Sequence, residues 1–313
     1  MTSRVALLVA GGALVASAAF SALTRWGAVT ASHPAYVLLL AACALVGAAL
    51  VAIGLRRPRG GSRGPWRTAA RIAGVALAVV VGGFVIWLRP FDATEPALRA
   101  LTSGDGVVVI ESATRIRMRP AAARQRDAAL VFLPGARVDP RAYAALLRPL
   151  AEAGHPVVIV KPALGVGLLA RGAATDEVRR AAADDRPVAV GGHSLGGTAA
   201  AMVVEDERPA DGLLLWASFP ANDALAERTD LVVTSISGGR DGLATPADIA
   251  DSRADLPPDT RFVVIPGAVH ADFGDYGAQR GDGERAISRE RAQQAIVAAS
   301  LRFLREVTAE GPD

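Results

Sequence analysis

Ser194 stands in "PVAVGGHSLGGTAAA", residues 187–201, where an apolar run meets two glycines, the serine, two more glycines and an alanine-rich helix former. Gly192, Ser194 and Gly196 satisfy G-x-S-x-G. At a strand-to-helix junction that spacing makes a strained turn that projects the hydroxyl, and the glycines avoid clashes in the crowded bend. A serine hydroxyl is a weak nucleophile at neutral pH, so chemistry here needs a general base and a group to orient that base. The chain has four histidines. His33 falls in a connector between apolar runs, and His155 sits in a turn before a strand. His193 is the variable residue of the elbow and cannot easily turn back to the adjacent hydroxyl. His270 remains, in "VIPGAVHADFG", just past the last apolar strand.

The orienting acid is expected at Asp241, in the glycine-rich loop of "LVVTSISGGRDGLATP". Asp230, Asp248 and Asp272 read as solvated or capping residues, with Asp272 also placed to support His270. Acyl transfer requires two backbone N–H donors for the developing oxyanion. Leu195, the residue after the serine, is one. Ala136 in "FLPGARVD" is the other, with Gly135 permitting close approach. Arg137 and Lys161 face no evident partner and are expected to be solvated or paired at the surface.

These residues must be carried by an α/β scaffold. "VVVIES" and "TRIRMRP" predict a hairpin in which Arg115, Arg117 and Arg119 alternate with Ile116 and Met118. "ALVFLP", "PVVIVKP", "PVAVGG", "GLLLWAS", "LVVTSIS" and "RFVVIPG" are then apolar runs of buried-strand length, separated by helical stretches such as "DPRAYAALLRPLAEAG". That stretch opens with Asp139 as N-cap and Pro140 at the first helical position. The pattern predicts a mostly parallel central sheet with helices on both faces. Only "SFPANDALAERTD" joins the strand ending at Ser218 to the one starting at Leu231, so little or no lid and an open, shallow site are expected.

The front of the chain differs. Residues 5–24, 35–55 and 72–88 are long runs free of charge, near the roughly 20 residues that cross a bilayer. They explain a mean hydropathy of +0.30. Residues 1–89 hold nine arginines and no Asp or Glu, so against a total of +3 the remainder is near −6. The pI of 9.6 is therefore a membrane-topology signal and excludes a nucleic-acid footprint. Six of the arginines lie in "RRPRGGSRGPWRTAAR", which the positive-inside rule places in the cytoplasm, with everything after Leu88 outside. A signal peptide over residues 1–24 is the competing reading and leaves that side unchanged. Gly47 and Gly82 would let the spans pack closely. The domain plan is a membrane region 1–89, a linker 90–104 and a catalytic domain 105–313. Cys43 is the only cysteine and lies in the second span; no histidines cluster at ligand spacing, so no metal or organic cofactor is expected.

"FLPGARVDPRAYAALLRPLAEAGHPVVIVKP", "GGHSLGG", "LLLWASFPA", "GGRDGLATP" and "IPGAVHADFGDYGAQRGDG" together resemble the compact branch of the α/β-hydrolase superfamily called alpha/beta hydrolase fold-5. The resemblance covers roughly residues 105–305, not the spans, and implies the triad Ser194, Asp241 and His270 that spacing suggests. A serine argues against the dienelactone-hydrolase type, which resembles this group and uses a cysteine. In "DFGDYGAQRGD", Phe273 and Tyr276 either shape the site, as Gly135 and His193 could, or belong to a self-packed loop that locks His270.

The expectation is a multi-pass, membrane-anchored serine hydrolase with its catalytic domain outside, acting on a small-molecule ester or acyl compound. Two alternatives stay open. The same triad would support acyl transfer to an acceptor other than water. A non-catalytic binding or sensing module is the other, although spans without internal charge do not suit an ion pathway.

Overall fold

A computed structural model describes residues 3–56, 65–121, 127–206 and 210–310 of the chain. Two compact units divide it: Met1–Thr30 with Pro34–Pro90, and Ala31–His33 with Phe91–Asp313.

The first unit consists of α1 (Ser3–Ala31), α2 (Ala35–Leu55) and α3 (Pro65–Trp87). Three helices, over Arg4–Ala31, Ala35–Leu55 and Thr68–Trp87, are long and apolar enough to cross a membrane. The first run does not stop at Thr24 as expected. Helix resumes after a break at Arg25 (φ −142°, ψ 28°) and continues to Ala31, and α3 starts seven residues before the charge-free run. Backbone hydrogen bonding thus extends beyond the apolar stretch that hydropathy detects. The core of the arginine-rich connector, residues 57–64, lies outside the described residues. Gly47 meets α1 closely: a Cβ there would lie 2.7 Å from the Gly11 carbonyl oxygen, and one on Gly82 would lie 2.6 Å from Ser17 Oγ.

In the second unit the apolar runs form one eight-stranded sheet: β1 (Val107–Glu111), β2 (Arg115–Pro120), β3 (Ala129–Leu133), β4 (Val157–Val160), β5 (Val188–His193), β6 (Gly212–Trp216), β7 (Val232–Gly238) and β8 (Arg261–Ile265). The spatial order is β1-β2-β4-β3-β5-β6-β7-β8. The expected hairpin β1–β2 is antiparallel, as is β2 against β4, and every other pair is parallel.

Both faces of the sheet are covered, which is why its strands are apolar throughout rather than alternating. Leu130, Phe132, Leu214 and Trp216 point to one face, under α4 (Ala144–Glu152) and α8 (Arg289–Glu310), where they meet Leu147, Leu150, Ile296 and Phe303. Val131, Leu133, Leu213 and Leu215 point to the other, under α5 (Arg171–Ala182) and α6 (Leu195–Asp206). Each such fully buried side chain contributes roughly 1.5–3 kcal/mol. A short α7 (Pro246–Asp251) follows β7, and the Thr245–Asp248 capping box that opens it gives Asp248 the capping role expected.

Two expectations need correction. Residues 91–104 are not a free linker: Phe91 bridges to Val138, and Ala97 is fully buried in the core. Small apolar residues spaced among the polar ones make that packing available. Lys161 is buried and pairs with Glu111 at 2.7 Å, because the β1–β2 hairpin folds against the end of β4. Arg115 and Arg117 reach across to Glu177 of α5, itself 4% exposed.

Candidate active site

The C-terminal ends of β3, β5, β7 and β8 supply the candidate residues, the edge where open α/β sheets place their sites. Ser194 follows β5 with φ +52°, a left-handed conformation that costs a non-glycine residue about 1–2 kcal/mol. The strain is held by Ser194 N–H donating to the Trp216 carbonyl (3.0 Å) and by Ser218 Oγ donating to the Ser194 carbonyl (2.7 Å). A Cβ on Gly192 would overlap the Gly196 carbonyl, and one on Gly196 would overlap the carbonyl oxygens of Leu133 and Pro134. The glycines are therefore required by the tightness of the turn.

His270 Nδ1 lies 2.8 Å from Asp241 Oδ2, with both side chains essentially inaccessible. Asp241 Oδ1 accepts the N–H groups of Leu243 and Ala244, each at 2.8 Å, so the carboxylate is held on both oxygens. The pairing sets the tautomer: Nδ1–H donates to the acid and Nε2 is left with its lone pair. Among the described residues neither His270 Nε2 nor Ser194 Oγ has a hydrogen-bond partner, so the histidine and acid are joined while the serine–histidine bond is not closed. Ser194 is nevertheless the chain neighbour of His193, whose ring centroid is 4.5 Å from that of His270.

Ala136 and Leu195 are half-buried beside this turn, and among the described residues neither N–H donates to an acceptor in the chain. The Gly135 N–H is taken, donating to Tyr143 Oη at 2.9 Å. What approaches Gly135 is protein: a Cβ there would lie 2.7 Å from His193 Nδ1. Phe273 and Tyr276 are buried around His193 instead of lining an open surface. Their loop is of the self-packed kind, since residues 270–276 are all buried. Arg137 places its guanidinium 5.2 Å from the Phe91 ring centroid. The segment 217–231 between β6 and β7 contains no helix or strand, so no cap domain is built there.

Asp282 escaped the sequence reading. It accepts N–H bonds from His270 (3.0 Å), Ala271 (2.8 Å), Gly283 (2.8 Å) and Gly242 (3.3 Å), clamping the loops after β7 and β8 together. Its one sequence cue is an acid between two glycines in "RGDG". Asp272 caps Val269 N–H and pairs with Arg285; buried and spent in this way, it does not touch the His270 ring through any hydrogen bond. His155 lies just before β4, as expected, and is a buried structural histidine bonded to the Ala128 carbonyl (3.1 Å). Among the described residues, no cluster of His, Cys, Asp or Glu could hold a metal ion.

A parallel sheet with a strained serine turn and a histidine–acid pair at its C-terminal edge defines an α/β-hydrolase. The family model for the alpha/beta hydrolase family matches residues 129–294, more than half of the chain, and the protein belongs to that family. In fold it is similar to a Thermus thermophilus protein (17% identity, TM-score 0.47, covering 64% of this chain and 98% of the other). It is likewise similar to the butyrate-bound esterase Est2 of Thermogutta terrifontis (15%, 0.45, 64% and 94%) and to a ferulic acid esterase from Streptomyces cinnamoneus (19%, 0.46, 60% and 69%). These likenesses carry no argument about substrate. No curated protein matches in sequence.

Proposed function

We propose that the protein is a serine hydrolase acting on a carboxylic ester or related acyl compound, held at the membrane by its three apolar helices. The observation that carries this is the strained Ser194 turn beside a His270–Asp241 pair whose Nε2 is unengaged. Ser194 Oγ attacks the carbonyl as His270 Nε2 takes its proton, and Asp241 stabilises the imidazolium. The unused N–H groups of Leu195 and Ala136 receive the oxyanion. Collapse releases the alcohol, protonated by His270, and leaves an acyl-enzyme that water cleaves by the same steps. The absence of a closed Ser194–His270 hydrogen bond fits this scheme, because such bonds often tighten only in the substrate complex.

Fluorophosphonate labelling of the full-length protein in detergent tests the reading. Labelling is expected in the parent, absent in Ser194→Ala and strongly reduced in His270→Ala. A folded parent that takes no label overturns it. The arginine bias supports a catalytic unit outside the cell. In a Cys43→Ala background, Asp105→Cys should react with a membrane-impermeant maleimide on intact cells, and Ser62→Cys only after permeabilisation. The reverse pattern would put the catalytic unit inside.

A further inference from the structure

The proposed reaction leaves one buried imidazole without a task. His193 ends β5, is 1% exposed, and adjoins Ser194 in the chain. Its Nδ1 is 2.9 Å from Tyr143 Oη, which already accepts the Gly135 N–H at 2.9 Å. A phenol carries one proton and can donate once. If Nδ1 were protonated, two donors would point at the phenol oxygen and the buried phenol proton would lack an acceptor, which burial makes costly. Tyr143 therefore donates to Nδ1, and His193 is neutral with its hydrogen on Nε2. Burial, and then the neighbouring His270, hold its pKa well below that of an ordinary imidazole, in keeping with this state.

Nε2 faces the His270 backbone carbonyl without reaching hydrogen-bond geometry. The ring lies parallel to Phe273 (5.8 Å between centroids, 8° between planes) and tilted against His270 (4.5 Å, 44°). Tyr276 closes the same pocket at 6.1 Å. The titratable groups around His193 are thus Tyr143, Tyr276 and His270, with Asp241 behind the last. On the other side, Tyr143 is brought under the β3 loop by the 3-10 turn Pro140–Tyr143, whose N-cap Asp139 accepts the Arg141 N–H. Holding Gly135 N–H orients the residue whose carbonyl carbon bears the Ala136 amide.

We propose that His193 is a positioning residue that acts through Tyr143, keeping the Ala136 oxyanion donor and the His270 imidazole in register with Ser194. This rests on the serine-hydrolase reading above. An error of about 1 Å in such alignment costs on the order of 10²-fold in rate.

The experiment compares steady-state hydrolysis of p-nitrophenyl acetate, and fluorophosphonate labelling rates, for full-length parent, His193→Phe, His193→Asn, Tyr143→Phe and the Tyr143→Phe/His193→Phe double variant. His193→Phe fills the space but strands the Tyr143 proton, and should lower kcat about 10²-fold with KM within about 2-fold. His193→Asn, whose Oδ1 replaces the Nδ1 acceptor, should restore kcat to within about 5-fold of the parent. The double variant should be no slower than Tyr143→Phe alone, because once the Tyr143 oxygen that holds Gly135 N–H is gone, His193 has no partner left to act through. A folded His193→Phe at the parental kcat, a loss confined to KM, or an Asn variant as slow as Phe would each overturn the proposal. Should His193→Phe not fold, Tyr143→Phe and His193→Asn decide: a slow Tyr143→Phe beside a near-parental Asn supports it, and a parental Tyr143→Phe overturns it. A parent that takes no fluorophosphonate sinks the serine reading itself, whereas a labelled parent with unchanged variants sinks only the role of His193.

Discussion

Replacing Asp282 tests whether the loops that carry His270 and Asp241 are held by one carboxylate. Oδ1 accepts from His270, Gly283 and Gly242, and Oδ2 from Ala271. Gly242 and Gly283 are exposed, so water can take over their bonds at little cost. His270 and Ala271 are 1% and 2% exposed, and in Asp282→Ala their N–H groups lose an acceptor, each worth about 1–3 kcal/mol. Asp282 is itself half-buried, so some water enters and a total of about 3 kcal/mol is expected. At about 2–4 °C per kcal/mol for a unit of this size, that lowers Tm by about 6–12 °C. Asp282→Asn keeps the Oδ1 bonds but turns its amide nitrogen toward the Ala271 N–H, two donors face to face, and should cost about 1–2 kcal/mol. Labelling by fluorophosphonate should slow on the order of 10²-fold in the Ala variant as the His270 backbone loosens. Thermal and urea unfolding of full-length protein in detergent, read beside labelling rates, supply the assay. Asp282→Ala within about 0.5 kcal/mol of the parent, or Asn less stable than Ala, would refute the count of bonds.

Protonation of His193 should destabilise the catalytic unit. Its folded pKa is depressed, so the unfolded chain binds more protons just below the ordinary imidazole pKa of about 6.5, and stability falls as pH drops through that window by up to about 1.4 kcal/mol per pH unit. His155 is depressed in the same direction by burial, so His193→Asn should flatten only part of the slope; urea unfolding between pH 7.5 and 5 of parent and variant checks this. Glu177 gathers Arg115, Arg117 and Arg180 while itself buried. The arginines keep partial hydration, so Glu177→Gln should cost about 1–2 kcal/mol in urea unfolding and leave the labelling rate unchanged, since its ion pairs join it to these arginines and not to Ser194, His270 or Asp241.

The chain sequence alone specified the alternation of strands and helices, because strands buried on both faces must be continuously apolar and the intervening segments must cover them. It also singled out Ser194, since a strained turn needs glycines at fixed offsets and those offsets are local. With four histidines and a fixed strand order, His270 and Asp241 could be paired by elimination, and the structure joins them at 2.8 Å. The role of Phe273 and Tyr276 was not legible, because an aromatic side chain in a loop reads the same whether it faces solvent or a neighbouring ring. Nor was the packing of residues 91–104, whose anchors are a backbone bridge at Phe91 and single apolar residues without a period. Lys161, Tyr143, His193 and Asp282 depend on partners 8 to 50 residues away in sequence, or on backbone N–H groups that have no sequence signature. Which polar groups lie buried together is decided only when distant segments close on one another, because burial turns an ordinary polar residue into one that must find its partner.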